Sequence, residues 1–347
     1  KIISKNLETY FIADIGANHD GNLGRAKKLI RLCAKAGADA AKFQHFKAST
    51  IVSDFQFKRL KINTHQTKWK KSVYEVYSDA SINNSWNQIL KKECKKNNID
   101  FLTSPYDLNY VDQVNKFIPA YKIGSGDITW KDIIVKIAKK KKPVIIATGA
   151  STFNDVVNTV NLILKYNSKL IVMQCNTNYT ADEKNFNHIN LNVLKKFSKF
   201  FKDKIILGLS DHTPGHTTVL GAITLGARVI EKHFTDNNKR KGPDHKFSMT
   251  PKTWQEMIFE SRRLEKSLGD GIKKIEKNEI TSFIVQRRGV YAKKKIKKNE
   301  KLKKEMIEFL RPYLKGSISP FEINNYVGKK LKKDLKRHEV IKKKWMI

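Results

Sequence analysis

The sequence predicts an α/β fold: a (β/α)8 TIM barrel over residues 1–270, then a small β-rich domain. Three observations carry this. Eight short apolar runs alternate with helix-length amphipathic segments from residue 9 to residue 267. The runs are continuously apolar, as in parallel strands covered on both faces. Eight such units in roughly 260 residues match the count and length of a closed barrel, and no GxGxxG turn points to a doubly wound sheet.

The expected strands are Tyr10–Ile15, Ala40–Gln44, Asp100–Ser104, Ala120–Ile123, Val144–Thr148, Leu170–Cys175, Ile205–Ser210 and Val229–His233. The expected helices are Leu23–Ala36, Trp86–Asn97, Tyr110–Phe117, Lys131–Lys140, Phe153–Tyr166, Leu191–Phe200, His216–Leu225 and Thr253–Leu268. Residues 271–285 read as a linker, within a stretch of glycines and mixed charges that starts at Gly269. The helical rhythm then stops, and 286–347 reads as short strands and turns. Ile296-Lys-Lys-Asn-Glu300-Lys-Leu302 echoes Leu335-Lys-Arg-His-Glu339-Val-Ile341, which suggests a pseudo-symmetric unit. A core of that size is thin and calls for a docking partner.

The chain has 347 residues and a formal charge of +36. Residues 271–347 hold 24 basic and 8 acidic side chains, so the C-terminal part is the denser in positive charge. Such a balance suits an anionic partner. The lysine runs alternate with apolar residues, and no zinc-finger or RNP-like motif appears, so the expectation is a small anionic substrate and no nucleic acid. No apolar run approaches the ~20 residues of a membrane helix. Cys33, Cys94 and Cys175 stand far apart without a CxxC pair. That excludes a disulfide framework and a thiolate zinc site, and suits a reducing cytoplasm.

Barrel active sites lie at the C-terminal strand ends. Those ends read Asp14 with Asn18 and His19, Lys42 with Gln44, Thr103 with Ser104, and Lys122 with Ser125 and Asp127. Thr148, Asn176, Ser210 with Asp211 and His212, and Glu231 with His233 follow. Caps and turns account for single hydroxyls such as Thr148. They do not account for Lys42 and Lys122, because a lysine beside an apolar core needs an anionic partner. His212 and His233 end adjacent strands, about 5 Å apart, so both imidazoles can reach one divalent cation. Lysines and hydroxyls across the mouth would then face a phosphate, with a polarised carbonyl on the metal side.

These residues sit in recognisable runs. Ala13-Asp-Ile-Gly-Ala-Asn-His-Asp-Gly21 resembles the E-I-G-x-N-H-x-G opening of the sialic acid synthase family. Pro119-Ala-Tyr-Lys-Ile-Gly-Ser-Gly126, Gly208-Leu-Ser-Asp-His-Thr213 and Glu231-Lys-His-Phe-Thr-Asp236 are similar to further family stretches. So are Gly242-Pro-Asp244, Ser248-Met249, Thr148-Gly149, Tyr179 and Arg311-Pro312. The last part of the chain resembles the antifreeze-like SAF (β-clip) domain those synthases carry.

The resemblance implies a transferase that condenses phosphoenolpyruvate with an N-acetylated hexosamine. The products are a nonulosonic (sialic) acid and phosphate. N-acetylmannosamine is the expected sugar, and a 2,4-diacetamido-trideoxyhexose, giving a legionaminic- or pseudaminic-type acid, is the alternative. A non-catalytic basic binding protein on a barrel scaffold is the outside reading. On the resemblance, His212 and His233 hold a divalent metal, Mn2+ before Mg2+ or Co2+. Lys42, Lys122, Ser104, Ser125, Thr177 and Ser210 bind phosphoenolpyruvate, Asp127, Gln44, Tyr179 and Asp244 face the sugar, and Thr148 is a further substrate-binding position. Asp14, His233 and Lys122 are the expected catalytic set. Arg311 is expected to reach the sugar of a partner subunit in a domain-swapped homodimer. Family glutamates are aspartates at Asp14 and Asp127, a phosphate-side serine is Ala147, and Gln174–Tyr179 departs from the usual form.

Overall fold

The computed structural model describes residues 3–60, 66 and 69–347. The chain divides into two compact units, Lys1–Gly269 and Asp270–Ile347. The first unit holds eight parallel strands: β1 (Tyr10–Asp14), β2 (Ala40–His45), β3 (Asp100–Pro105), β4 (Tyr121–Ile123), β5 (Val144–Ala147), β6 (Leu170–Cys175), β7 (Ile206–Asp211) and β8 (Val229–His233). They close in sequence order into a barrel, with β1 pairing both β2 and β8. The eight runs expected from the sequence are these eight strands, each within a residue or so at its ends.

Alternation of side chains sorts each strand into an inner and an outer set. Tyr10, Ile12, Ala40, Leu102, Ile145, Ile171, Met173 and Val229 fill the lower barrel interior. Their neighbours, among them Phe11, Ala41, Phe43, Phe101, Ile146, Val172, Leu209 and Ile230, pack outward under the helices. Those helices are α1 (Leu23–Lys35), α2 (Ala48–Ile51), α3 (Asp54–Arg59), α4 (Val73–Ala80), α5 (Trp86–Lys96) and α6 (Leu108–Asn115). The ring continues with α7 (Lys131–Lys139), α8 (Phe153–Leu164), α9 (Val193–Phe201), α10 (Thr217–Thr224) and α11 (Pro251–Leu268). Helix α1 shows why they form. Asn22 caps it by accepting the Arg25 N–H, and Ala26, Leu29, Ile30 and Cys33 make one buried stripe. Gly37, at φ +94°, turns the chain out of it. In α11, Pro251 occupies the first turn and Thr250 with Thr253 forms the cap.

The sequence did not announce α2–α4, between β2 and α5. They are 4 to 8 residues long, and α3 buries none of its side chains, so no helical stripe is written into them. The expected linker 271–285 also carries structure: α12 (Ile280–Gln286) lies mostly within it. Its apolar residues Ile280, Ile284 and Val285 stay exposed, so the amphipathic signal that marks a packed helix is missing.

In the second unit, β9 (Gly289–Ala292) pairs antiparallel with β10 (Ile307–Leu310). A compact core gathers Val290, Ile296, Leu302, Ile318, Leu331, Leu335 and Ile341. The internal echo becomes geometry here. Ile296 and Leu335 bridge each other, exchanging backbone hydrogen bonds. Asn299 and His338 hold matching positive φ of 66° and 60°. The carboxylates of Glu300 and Glu339 accept from the Lys297 and Lys336 N–H groups alike. Two copies of one turn thus pack about a local dyad.

Candidate active site

Above the apolar floor of the barrel, the inward positions turn polar. Strand pairing sets them at matched heights: Asp14 lies opposite both Lys42 and His233, Gln44 opposite Ser104, Cys175 opposite Ser210, and Ser210 opposite Glu231. The charges alternate around the mouth. The Lys42 ammonium sits 2.6 Å from Asp14 Oδ2 and 3.9 Å from Glu231 Oε2. The Lys122 ammonium sits 3.2 Å from Glu231 Oε1, which also accepts from the Ser210 hydroxyl at 3.2 Å. All five side chains are buried. Buried charges in this number persist only because each faces an opposite one. Burial alone would raise the Asp14 carboxyl, but Lys42 and then His233 hold it below its ordinary value. Burial would lower the Lys42 ammonium, and Asp14 and Glu231 hold it above its ordinary value.

His233 stands between two carboxylates, with Nε2 3.4 Å from Asp14 and Nδ1 3.7 Å from Asp244. Asp244 reaches in from the loop before α11 and accepts from the Ala17 N–H at 2.8 Å. A side chain at Gly16 would collide with it at 2.5 Å, so Gly16 makes the approach possible. The His212 and His233 rings lie 5.5 Å apart, and Tyr179 and Phe247 pack on both. His212 Nδ1 lies 2.8 Å from the Asn176 carbonyl. As donor to it, Nδ1 carries the proton and leaves the Nε2 lone pair for a ligand. Burial, then the neighbouring His233, pushes His212 down to about 3, so it is neutral at ordinary pH.

Ser125, Thr177 and Cys175 converge on Gly149, whose N–H donates to Ser125 Oγ at 2.9 Å. Three buried polar atoms in this mouth make no hydrogen bond within the chain: Ser104 Oγ, Glu231 Oε2 and His233 Nδ1. Orphaned atoms of three kinds in one place are what a polar ligand would satisfy. Among the described residues, no three His, Cys, Asp or Glu side chains form a closed metal cluster. The donor set is two imidazoles with carboxylates beside one of them. That fits an open site completed by substrate and water, not a closed structural one.

Asp14, Lys42, Gln44, Ser104, Lys122, Ser210, His212 and His233 thus meet as read from the strand ends, and Tyr179 and Asp244 join them. Gln44 donates to Asp14 at 3.3 Å and lines the outer cleft. Burial pushes the half-buried Asp127 up to about 6. Thr148 is placed differently: its hydroxyl donates to the Met173 carbonyl at 2.9 Å, tying β5 to β6. Arg311 lies exposed in the second unit. Glu231, at the centre of the charge pattern, was legible as a strand-end carboxylate but had no role. The outer cleft also holds Phe46, Ile51, Val76, Tyr77 and Tyr106, partly from α2 and α4, which the sequence did not announce.

The NeuB family profile matches residues 29–273, and a SAF domain profile matches 287–344. The chain is 35% identical to N,N'-diacetyllegionaminic acid synthase of Campylobacter jejuni, over 96% of this chain and 99% of that one. It is 30% identical to N-acetylneuraminate-9-phosphate synthase of Homo sapiens, over 93% and 88%. The crystal structure of the N-acetylneuraminic acid synthetase of Leptospira borgpetersenii in complex with citrate aligns with a TM-score of 0.69. The identity there is 26%, over 80% of this chain and 90% of that one. With a closed eight-stranded barrel, a C-terminal SAF unit and a charged strand-end mouth, the chain belongs to the NeuB family and is a condensing transferase of the sialic acid synthase type.

Proposed function

We propose that this synthase joins phosphoenolpyruvate to the open-chain form of an N-acetylated amino sugar, giving a nonulosonic acid and phosphate. The observation that carries the reading is the buried alternation of Asp14, Lys42, Glu231 and Lys122 beneath two imidazoles. Lys42 and Lys122 neutralise the phosphate and carboxylate of phosphoenolpyruvate, and Ser104, Ser125, Thr177 and Ser210 donate to it. His212 and His233 would hold a divalent ion, Mn2+ before Mg2+ or Co2+, and that ion would supply Lewis-acid polarisation of the sugar aldehyde; the carbon that attacks the aldehyde is phosphoenolpyruvate C3. Asp14 keeps His233 and Lys42 at one height. Glu231, with one oxygen on Lys122 and the other without a hydrogen bond, takes the proton of the water that adds at C2. Loss of phosphate from that carbon completes the reaction.

The cleft lining favours the 2,4-diacetamido-trideoxyhexose over N-acetylmannosamine. Phe46, Ile51, Val76 and Tyr77 offer apolar surface to two acetamido methyls and a C6 methyl. The likeness to N,N'-diacetyllegionaminic acid synthase points the same way. The test supplies phosphoenolpyruvate, Mn2+ and each sugar in turn, and reads phosphate release and product mass. The diacetamido sugar should give at least a tenfold higher kcat/KM. A preference for N-acetylmannosamine would overturn the sugar assignment, and no phosphate release with any amino sugar would overturn the reaction.

Arg311 completes a partner's sugar site in a domain-swapped homodimer. The family resemblance supports this, as does the apolar face that Ile280, Ile284 and Val285 leave exposed. Three buried free thiols suit a reducing cytoplasm. No helix among the described residues is long and apolar enough to cross a membrane.

A further inference from the structure

Three lysines are buried among the described residues, and two of them, Lys42 and Lys122, point into the mouth. The third, Lys232, points the other way. On β8, Glu231 and His233 face inward, so alternation turns Lys232 out into the layer between sheet and helices. Its register partner on β7 is Asp211, outward for the same reason. The two form an ion pair, both essentially inaccessible to water. Neither belongs to the mouth, and neither is needed to fill space there.

The contacts around the pair show what it holds. The Lys232 ammonium also donates to the Thr213 carbonyl at 2.6 Å. Asp211 Oδ2 accepts from the Thr213 and Thr218 hydroxyls, each at 2.8 Å, and the Thr213 N–H lies 3.3 Å from Oδ1. Thr218 stands in the first turn of α10. One buried knot therefore joins the end of β7, the end of β8 and the start of α10. His212 lies between Asp211 and Thr213, both tied to Lys232, and His233 directly follows Lys232.

We propose that Asp211 and Lys232 are a positioning pair that sets the spacing of His212 and His233 for a shared divalent cation. This rests on the two histidines being the metal ligands. A buried ion pair is poor evidence of a stabilising role, since well-packed apolar residues of similar volume hold a protein together as well or better. Its place at the histidine-bearing ends of β7 and β8, with its remaining hydrogen bonds directed to Thr213, next to His212, and to Thr218 in the first turn of α10, indicates orientation instead. Groups that orient ligands from behind are commonly worth 10- to 100-fold in metal affinity.

The test is Mn2+ binding to the full chain without substrates, followed by EPR. Wild type should bind, and His212→Ala or His233→Ala should abolish binding. The double variant D211N/K232M removes both charges together and should bind Mn2+ about 10- to 100-fold more weakly while keeping its far-UV CD spectrum. Thr218→Val, a milder change, should weaken binding a few-fold. Tyr10→Phe breaks a half-buried hydrogen bond to Asp100 at the opposite end of the barrel and should leave Mn2+ affinity unchanged. Binding by folded D211N/K232M within threefold of wild type would overturn the proposal, as would an equal loss in Tyr10→Phe. If the double variant does not fold, Thr218→Val decides alone, and unchanged affinity there overturns it. Failure of wild type to bind Mn2+, or full binding by both histidine variants, would overturn the ligand assignment itself and this proposal with it.

Discussion

At the scale of single residues, the mouth is a set of charges that burial makes costly and pairing makes tolerable. Lys122 touches Glu231, and Lys42 touches Asp14. Replacing Lys122 by Met should lower kcat/KM for phosphoenolpyruvate by about tenfold to a hundredfold, the value of a charge-assisted contact of about 1.5–3 kcal/mol. The sugar KM should move little, and a change confined to the sugar would put Lys122 on the wrong side. Asp127 gives a pH signature. Burial raises it to about 6, so the folded chain keeps a proton that an unfolded aspartate loses near pH 4. Its contribution to stability is therefore full below about pH 4 and lost as pH rises to about 6. The catalytic profile runs the other way. If the carboxylate grips the sugar, kcat/KM for the sugar climbs through pH 6, and Asp127→Asn should abolish that inflection. These residues were legible because they end strands at period two. Asp211 and Lys232 obey the same parity with opposite sign, and only the packed layer reveals what an outward charge does there.

At the scale of elements, the barrel was legible because its strands are continuous apolar runs and its helices carry full stripes. The excursion α2–α4 was not, because its apolar residues line a cleft, where helical periodicity is not required. The site's precision depends on tight strand ends as well. A Cβ at Gly149 would stand 2.4 Å from Thr177 Cγ2 and 2.9 Å from Ser125 Oγ, both side-chain atoms that can move. Gly149→Ala should therefore fold normally but raise KM for phosphoenolpyruvate, with the thermal midpoint as the control. Gly208 behaves differently. A Cβ there would meet the Val229 carbonyl oxygen at 2.7 Å, backbone of the adjacent strand. Gly208→Ala should cost about 1–3 kcal/mol, seen as a lower urea midpoint, because β7 and β8 cannot separate without losing their pairing. A stable Gly208→Ala barrel would mean that the β7–β8 contact yields more easily than its geometry implies.

At the scale of the whole molecule, one chain carries a barrel with a formed mouth and, after it in sequence, a basic unit whose core is small. The unit's local dyad was visible as a seven-residue echo, since each copy must repeat the same turn chemistry. A role for Arg311 in a partner's site is implied only by the family resemblance, because an exposed arginine after a short strand has no signature of its own. Complementation tests that role. Arg311→Ala and His212→Ala chains should each form nearly inactive homodimers. If Arg311 serves a partner's barrel, a heterodimer of the two has one site with a wild-type barrel and a wild-type arginine, and one site with neither. Co-expression should then restore up to half of the wild-type activity per heterodimer. If Arg311 serves its own barrel, each site of the heterodimer carries one defect, and activity stays near zero. Separating heterodimers by two affinity tags before assay removes the remaining ambiguity, so their inactivity would exclude the trans arrangement.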